Sequence, residues 1–169
     1  MTGAGTGSAL LSTLGIGVVN FIFTMTAMFF IDRFGRKKLM YTGSIGLIIT
    51  LALVARAFYT NQFDYVPIYL FVYIGFFAFS QGAVIWVFIS EIFPNSVRAK
   101  GTSLGSFTHW FMASVIAFSF PYITVQLGGG NSFMIFAVMM VLQLLFVWRM
   151  MPETKGKSLE QLGESIEGK

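Results

Sequence analysis

Cysteine is missing from all 169 residues, which excludes disulfides and thiolate metal sites and leaves the redox compartment open. Charge is almost as scarce. Asp, Glu, Lys and Arg make up 11% of the chain, against about a quarter in a soluble domain. Hydrophobic residues fill 56% instead, and the mean hydropathy is +0.76. A core in water cannot hide that much apolar surface without leaving large exposed patches. The composition therefore points to a protein of the lipid bilayer. Phe 20 and Gly 18 agree, because Phe is tolerated against lipid and Gly lets neighbouring helices approach. A secretory leader is lacking too: the first dozen residues carry no Lys or Arg and merge into a full-length apolar run.

The net charge of +4 is not a nucleic-acid signal, because the basic residues sit in the joints between oily runs. A bilayer core of about 30 Å needs roughly 20 apolar helical residues. Five stretches qualify: Ala9 to Ile31, Leu39 to Ala57, Val66 to Ser90, Thr102 to Leu127, and Phe133 to Met151. They are apolar on every face, whereas barrel strands alternate over about ten residues. The fold expected is an all-α membrane protein, with residues 1–151 as the helical bundle and 152–169 as a tail.

The joints set the orientation. DRFGRKK (Asp32 to Lys38), EIFPNSVRAK (Glu91 to Lys100) and the end of the fifth span with the segment after it (from Arg149) hold ten of the eleven Lys and Arg. The eleventh, Arg56, ends the second span beside YTNQFDY, where it snorkels toward the headgroups. The joint GGGNS (Gly128 to Ser132) carries no charge. This bias places the charged joints and the C-terminus on the cytoplasmic side of the cell membrane. Five spans with the C-terminus inside put Met1 outside, so the chain reads as the C-terminal piece of a longer protein. Beyond Pro152, Ser158 is a candidate N-cap with Gln161 as its capping-box partner. Leu159, Leu162 and Ile166 then form the apolar stripe of a short amphipathic helix.

Three joints taken together, DRFGRKK, SEIFPNSVRAKG and PETKGKSLEQL, resemble the sugar porters of the major facilitator superfamily, in that family's order. The resemblance covers nearly the whole chain. It implies the eighth to twelfth helices of a twelve-helix transporter, hence part of its C-terminal six-helix bundle, with the N-terminal half missing. The activity implied is monosaccharide transport by alternating access, as proton symport or as facilitated diffusion, a small-molecule sugar and the lipid bilayer being the partners. A non-transporting sugar-sensing receptor of the same fold is the alternative, against which the short tail argues. Transport makes and breaks no bond, so no enzyme activity, catalytic residue, metal or cofactor is expected.

The candidate sugar-site residues each admit a second reading. Asn20, an amide mid-way along the first span, must face protein or a wet cavity. It makes either a helix–helix hydrogen bond of about 0.6–2 kcal/mol or, as the resemblance implies, a sugar contact. Trp86 suits an interfacial anchor on its own, and sugar stacking by resemblance. Gly82, one turn away, lets a ligand or neighbouring helix approach the backbone. Phe77 matches a site-lining aromatic, yet nine residues from Trp86 put it on the opposite face of an ideal helix. It reaches the same cavity only through a bend near Gly82, where the family's prolines are replaced by Ala83 and Ile85. His109, beside Trp110, stands where the family has a sugar-binding amide. Packing and proton relay are its other readings. Ser106, His109 and Ala113 form a polar-to-small stripe, and Pro121 offers a hinge at the outer end of this span.

Asp32, Arg33, Arg36, Glu91, Arg98 and Glu153 sit where helices leave the bilayer. Solvated surface pairs there are worth about 0–1 kcal/mol each. The resemblance implies more, a salt-bridge latch that closes the cytoplasmic side in one transport state. Lys37 stands where Arg is common, keeping the charge without bidentate geometry.

Overall fold

Within hydrocarbon, backbone amides have no water to bond, so an apolar run of bilayer length becomes a helix. The computed structural model describes residues 6–156. Its helices are α1 (Thr6–Phe34), α2 (Arg36–Thr60), α3 (Val66–Phe79), α4 (Gln81–Glu91) and α5 (Arg98–Arg149). The described residues contain no strand. Four helical stretches are long and apolar enough to cross a membrane: Thr13–Phe34, Arg36–Thr60, Val66–Glu91 and Arg98–Arg149. The amphipathic helix expected around Leu159, Leu162 and Ile166 lies outside the described residues.

α5 counts as two spans. A straight helix of its 52 residues would be about 78 Å long, more than twice the hydrocarbon thickness. Gly128 leaves the helical region at φ 79°, ψ 160°, a conformation open essentially to glycine alone. Beyond it the chain doubles back: the Phe120 ring lies 5.7 Å from Phe136 and 6.4 Å from Phe133. The arms 98–127 and 129–149 are therefore antiparallel, and the bundle has five rods. The joint expected over Gly128 to Ser132 shrinks to one residue, because 129–132 are already helical. Asn131 and Ser132 return side-chain hydrogen bonds to Leu127 O and Gly128 O, satisfying carbonyls that the reversal would otherwise orphan. Pro121 stays inside the first arm and does not mark the turn.

The third span is broken without proline. Ser80 adopts φ −116°, ψ −89° between α3 and α4. Its N–H donates to both Phe76 O and Phe77 O at 3.2 Å, and its hydroxyl donates to Phe76 O at 2.6 Å. Ser80 thus turns both of its donors back onto α3 carbonyls at the break. Gly43 of α2 receives it: a Cβ there would collide with the Ser80 side chain.

α2 is the most buried of the long helices. The second arm of α5 runs alongside it, with Phe58 stacked on Phe133 and the Gln143 amide donating to the Ser44 hydroxyl at 3.4 Å. α1 packs on α3. The apolar core joins Ile31, Leu39, Met40, Val84, Phe88, Val147 and Met151 near the charged end of the rods. Outward faces stay oily: Phe29 is 82% and Phe118 86% exposed. Such surfaces suit a hydrocarbon surrounding.

Because the α2–α4 contact closes on Gly43, Gly43→Val is expected to destabilise the full-length protein by about 1–3 kcal/mol, read as a lowered thermal midpoint in detergent. An unchanged midpoint would show that the Ser80 break does not depend on that contact.

Candidate functional site

The break at Ser80 re-aims α4. On a continuous helix Phe77 and Trp86 face opposite ways, yet here both line one cavity of about 610 Å³. Gly82 makes this possible, since a Cβ there would stand 3.3 Å from Phe77 O and 3.4 Å from the Phe77 ring. Asn20 of α1, His109 and Trp110 of α5 complete the set, so all six candidate sugar-site residues border the same space. The Trp86 and His109 rings meet edge to face at 4.9 Å, and Trp110 lies 5.4 Å from His109 and 6.1 Å from Trp86. Asn20 makes no hydrogen bond among the described residues, so the helix–helix bond weighed for it is not formed there.

Two amides in this wall escaped the reading of the sequence. Gln81 opens α4 and donates only to the Met140 sulfur, at 3.7 Å, while Gln143 reaches in from the second arm of α5. Their signal was the one that marked Asn20: an amide inside an oily run. The cavity thus combines aromatic faces with the side chains of Asn20, Gln81, Gln143 and His109. Its volume lies within the range of small-molecule sites.

The second cluster lies at the rod ends. The Arg36 guanidinium meets Glu91 in a two-point pair, Nη2 to Oε1 at 2.6 Å and Nε to Oε2 at 3.0 Å. It also reaches Asp32 at 2.8 Å. The Arg36 side chain is 9% exposed and Glu91 23%, against 78% for Asp32. The Glu91 arm is therefore the stronger, as a bidentate pair partly withdrawn from water, and the Asp32 arm is screened. Thr154 adds a hydroxyl donor to Glu91 Oε2 at 2.6 Å.

Glu153 does something its charge alone did not foretell. Its carboxylate accepts the backbone N–H groups of Arg36 at 2.9 Å and Lys37 at 3.1 Å. α2 begins at Gly35 with no side-chain cap of its own. A residue 117 positions away thus caps its first turn, where a negative charge also suits the helix dipole.

Arg33 and Arg98 stand apart from this network. Consecutive helical residues are turned by about 100°, so Arg33 does not share the face of Asp32. Among the described residues its side chain enters no ion pair, and its carbonyl accepts from Lys155 Nζ at 2.6 Å. Arg98 donates from Nε to Phe93 O at 3.3 Å, within the joint before α5, and its Nη2 is buried without a partner. The expected six-member cluster is a four-member network of Asp32, Arg36, Glu91 and Glu153, joined by Thr154. No group of His, Cys, Asp and Glu among the described residues is arranged to hold a metal.

Comparison with known proteins follows the same line. The family profile "Sugar (and other) transporter" matches residues 1–165. The D-xylose-proton symporter of Escherichia coli (strain K12) is 38% identical over 167 residues, 95% of this chain and 34% of that protein. The glucose facilitated diffusion protein of Zymomonas mobilis is 37% identical over 169 residues, 96% of this chain and 36% of that one. The structure of a proton:xylose symporter bound to 6-bromo-6-deoxy-D-glucose aligns with a TM-score of 0.90 at 37% identity, covering 97% of this chain and 36% of that chain. The inward-open xylose transporter from E. coli aligns at 0.86 and 37% identity, over 93% and 36% of the two chains. The chain spans about a third of the length of these relatives. By profile, sequence and helix arrangement alike, it belongs to the sugar porter family of the major facilitator superfamily.

Proposed function

We propose that the full-length protein containing this chain carries a monosaccharide across the membrane by alternating access, and that residues 1–151 supply one side of its sugar site. The observation that supports this most is the convergence of Asn20, Phe77, Trp86 and His109, from three separate spans, on one cavity. A sugar has an apolar C–H face and a rim of hydroxyls. In this reading Trp86 stacks on the face, Phe77 and Trp110 close the walls, and Asn20, Gln81 and His109 bond the rim. Gly82 holds the space open. An upstream half supplies the opposite wall, together with any coupling to protons.

The end bearing Asp32, Arg36, Glu91 and Glu153 faces the cytoplasm, as does the tail from 152, since nearly all Lys and Arg lie at that end. Alternating access needs an element with two arrangements. The Arg36–Glu91 pair and the Glu153 cap together form such an element: they tie the ends of α1, α2, α4 and the tail segment, and all are breakable polar contacts.

The test is sugar counterflow in vesicles bearing the full-length protein, without an imposed gradient; binding without counterflow would favour a receptor over a transporter. Trp86→Ala and His109→Ala are each expected to weaken sugar affinity about 5- to 10-fold, the scale of one stacked ring or one hydrogen bond. Titration of protein with an unchanged melting point checks this, and unaltered affinity would return both residues to packing.

Glu91→Gln removes the charge from the two-point pair, a change on the order of 1.5–3 kcal/mol, or roughly tenfold or more in the state equilibrium. The full-length protein is expected to shift toward inward-open. A single cysteine at Ile85, in a full-length background with every other cysteine replaced, should then react faster with an impermeant maleimide applied from the cytoplasmic side. An unchanged rate would argue against the latch.

A further inference from the structure

Among the described residues Arg56 is the one cation at the far end of the rods, and nothing in the sugar cavity or the charged cluster uses it. It follows Arg36 by 20 residues along α2, a rise of about 30 Å, which is the thickness of the hydrocarbon core. With Arg36 at one bilayer surface, Arg56 stands at headgroup level on the other.

Its surroundings form a separate cavity of about 170 Å³, lined by Leu53, Arg56, Thr60, Gln62, Tyr65 and Tyr69, with Ala57 beneath. None of these residues borders the sugar cavity. At this size it is smaller than sites for drug-sized molecules, but it has room for a compact anionic group.

A bland role for Arg56 would be to neutralise the last carbonyls of α2. One of those carbonyls, Ala57 O, and the Arg56 carbonyl before it are already engaged. Arg56 O accepts the Thr60 hydroxyl at 3.0 Å, and Ala57 O accepts the backbone N–H groups of Asn61 and Gln62. The guanidinium forms no ion pair or hydrogen bond with the described residues, Asp64 of the same outer segment included. Five N–H donors therefore face a niche whose other polar groups are a hydroxyl, an amide and two phenols, with no carboxylate in the lining. Donors outnumber what the wall can accept, and tyrosines at this depth are the residues that settle among headgroups.

We propose that this niche binds the phosphate of a membrane phospholipid, in the leaflet opposite the Arg36–Glu91 cluster. Arg56 grips the phosphate oxygens in the fork geometry that guanidinium and phosphate share. Gln62 and a tyrosine hydroxyl complete the donor set, and Leu53 with Ala57 meets the start of the acyl chains. Inorganic phosphate offers the same oxygens, so lipid and free anion are separated by experiment.

Native mass spectrometry of the purified full-length protein, titrated with phosphatidylglycerol, reads the site directly. Wild type is expected to retain one lipid that Arg56→Gln loses, with an apparent affinity about tenfold weaker in the variant and intermediate in Arg56→Lys. A phosphate-free glycolipid of equal chain length should not distinguish wild type from Arg56→Gln, and millimolar inorganic phosphate should not displace the retained lipid. Equal phosphatidylglycerol retention by wild type and Arg56→Gln would overturn the proposal, as would equal Arg56-dependence for the glycolipid. Full displacement by inorganic phosphate would overturn the lipid assignment in favour of a free anion. Intact sugar binding shows that the variant is folded; if Arg56→Gln does not fold, Tyr69→Phe and Gln62→Leu give the same reading through smaller losses of retention.

Discussion

The bundle is tied at one end by the guanidinium of Arg36. It touches Asp32 at the exit of α1 and Glu91 at the exit of α4, while the backbone of the same residue is held by Glu153 from beyond α5. Apolar rods in lipid have no hydrophobic force pressing them together, because hydrocarbon solvates their sides as well as their neighbours do. Specific polar contacts at the ends therefore carry an unusual share of the arrangement. Removing Arg36 would take the two-point partner from half-buried Glu91, and removing Glu153 would strand two helix N–H groups. Position along the sequence is no guide to this dependence, since the partners are separated by 55 and 117 residues.

The cavity depends on a different device. A continuous third span would turn Phe77 away from Trp86. The Ser80 break unites them, with the hydroxyl and N–H of Ser80 both bonded to carbonyls of α3. This solution uses no proline. It also requires that α2 offer a residue without a side chain at the contact, which Gly43 does. The sugar-facing wall and the α2 packing surface are thus two sides of one constraint.

Much of this could be read from the residues. Composition alone reported a membrane bundle, and the charged joints Asp32 to Lys38 and Glu91 to Lys100 marked two of the four junctions between rods to within a few residues. The resemblance carried by DRFGRKK, SEIFPNSVRAKG and PETKGKSLEQL drew attention to the residues that border the cavity. What stayed hidden was three-dimensional. Ser80 looks like any polar residue in an oily run, and only its backbone angles reveal the break. Glu153 read as one more loop charge, because an N-cap supplied from a distant segment has no local pattern. Arg33 and Arg98 were grouped with the network by their charge and proximity in the joints, whereas helix rotation and a nearby carbonyl direct them elsewhere. Gln143 was overlooked although it carried the same mark as Asn20.

The reversal at Gly128 bears on how such a protein enters its membrane. Only one residue interrupts two helices, and neither it nor its flanks carry charge. The tip can therefore pass through hydrocarbon without shedding the water of an ion, and hydroxyl and amide groups on Asn131 and Ser132 are already bonded inward. Both arms can cross together as a preformed helical pin, its apex leading and its basic ends, Arg98 and Arg149, left behind on the surface of origin.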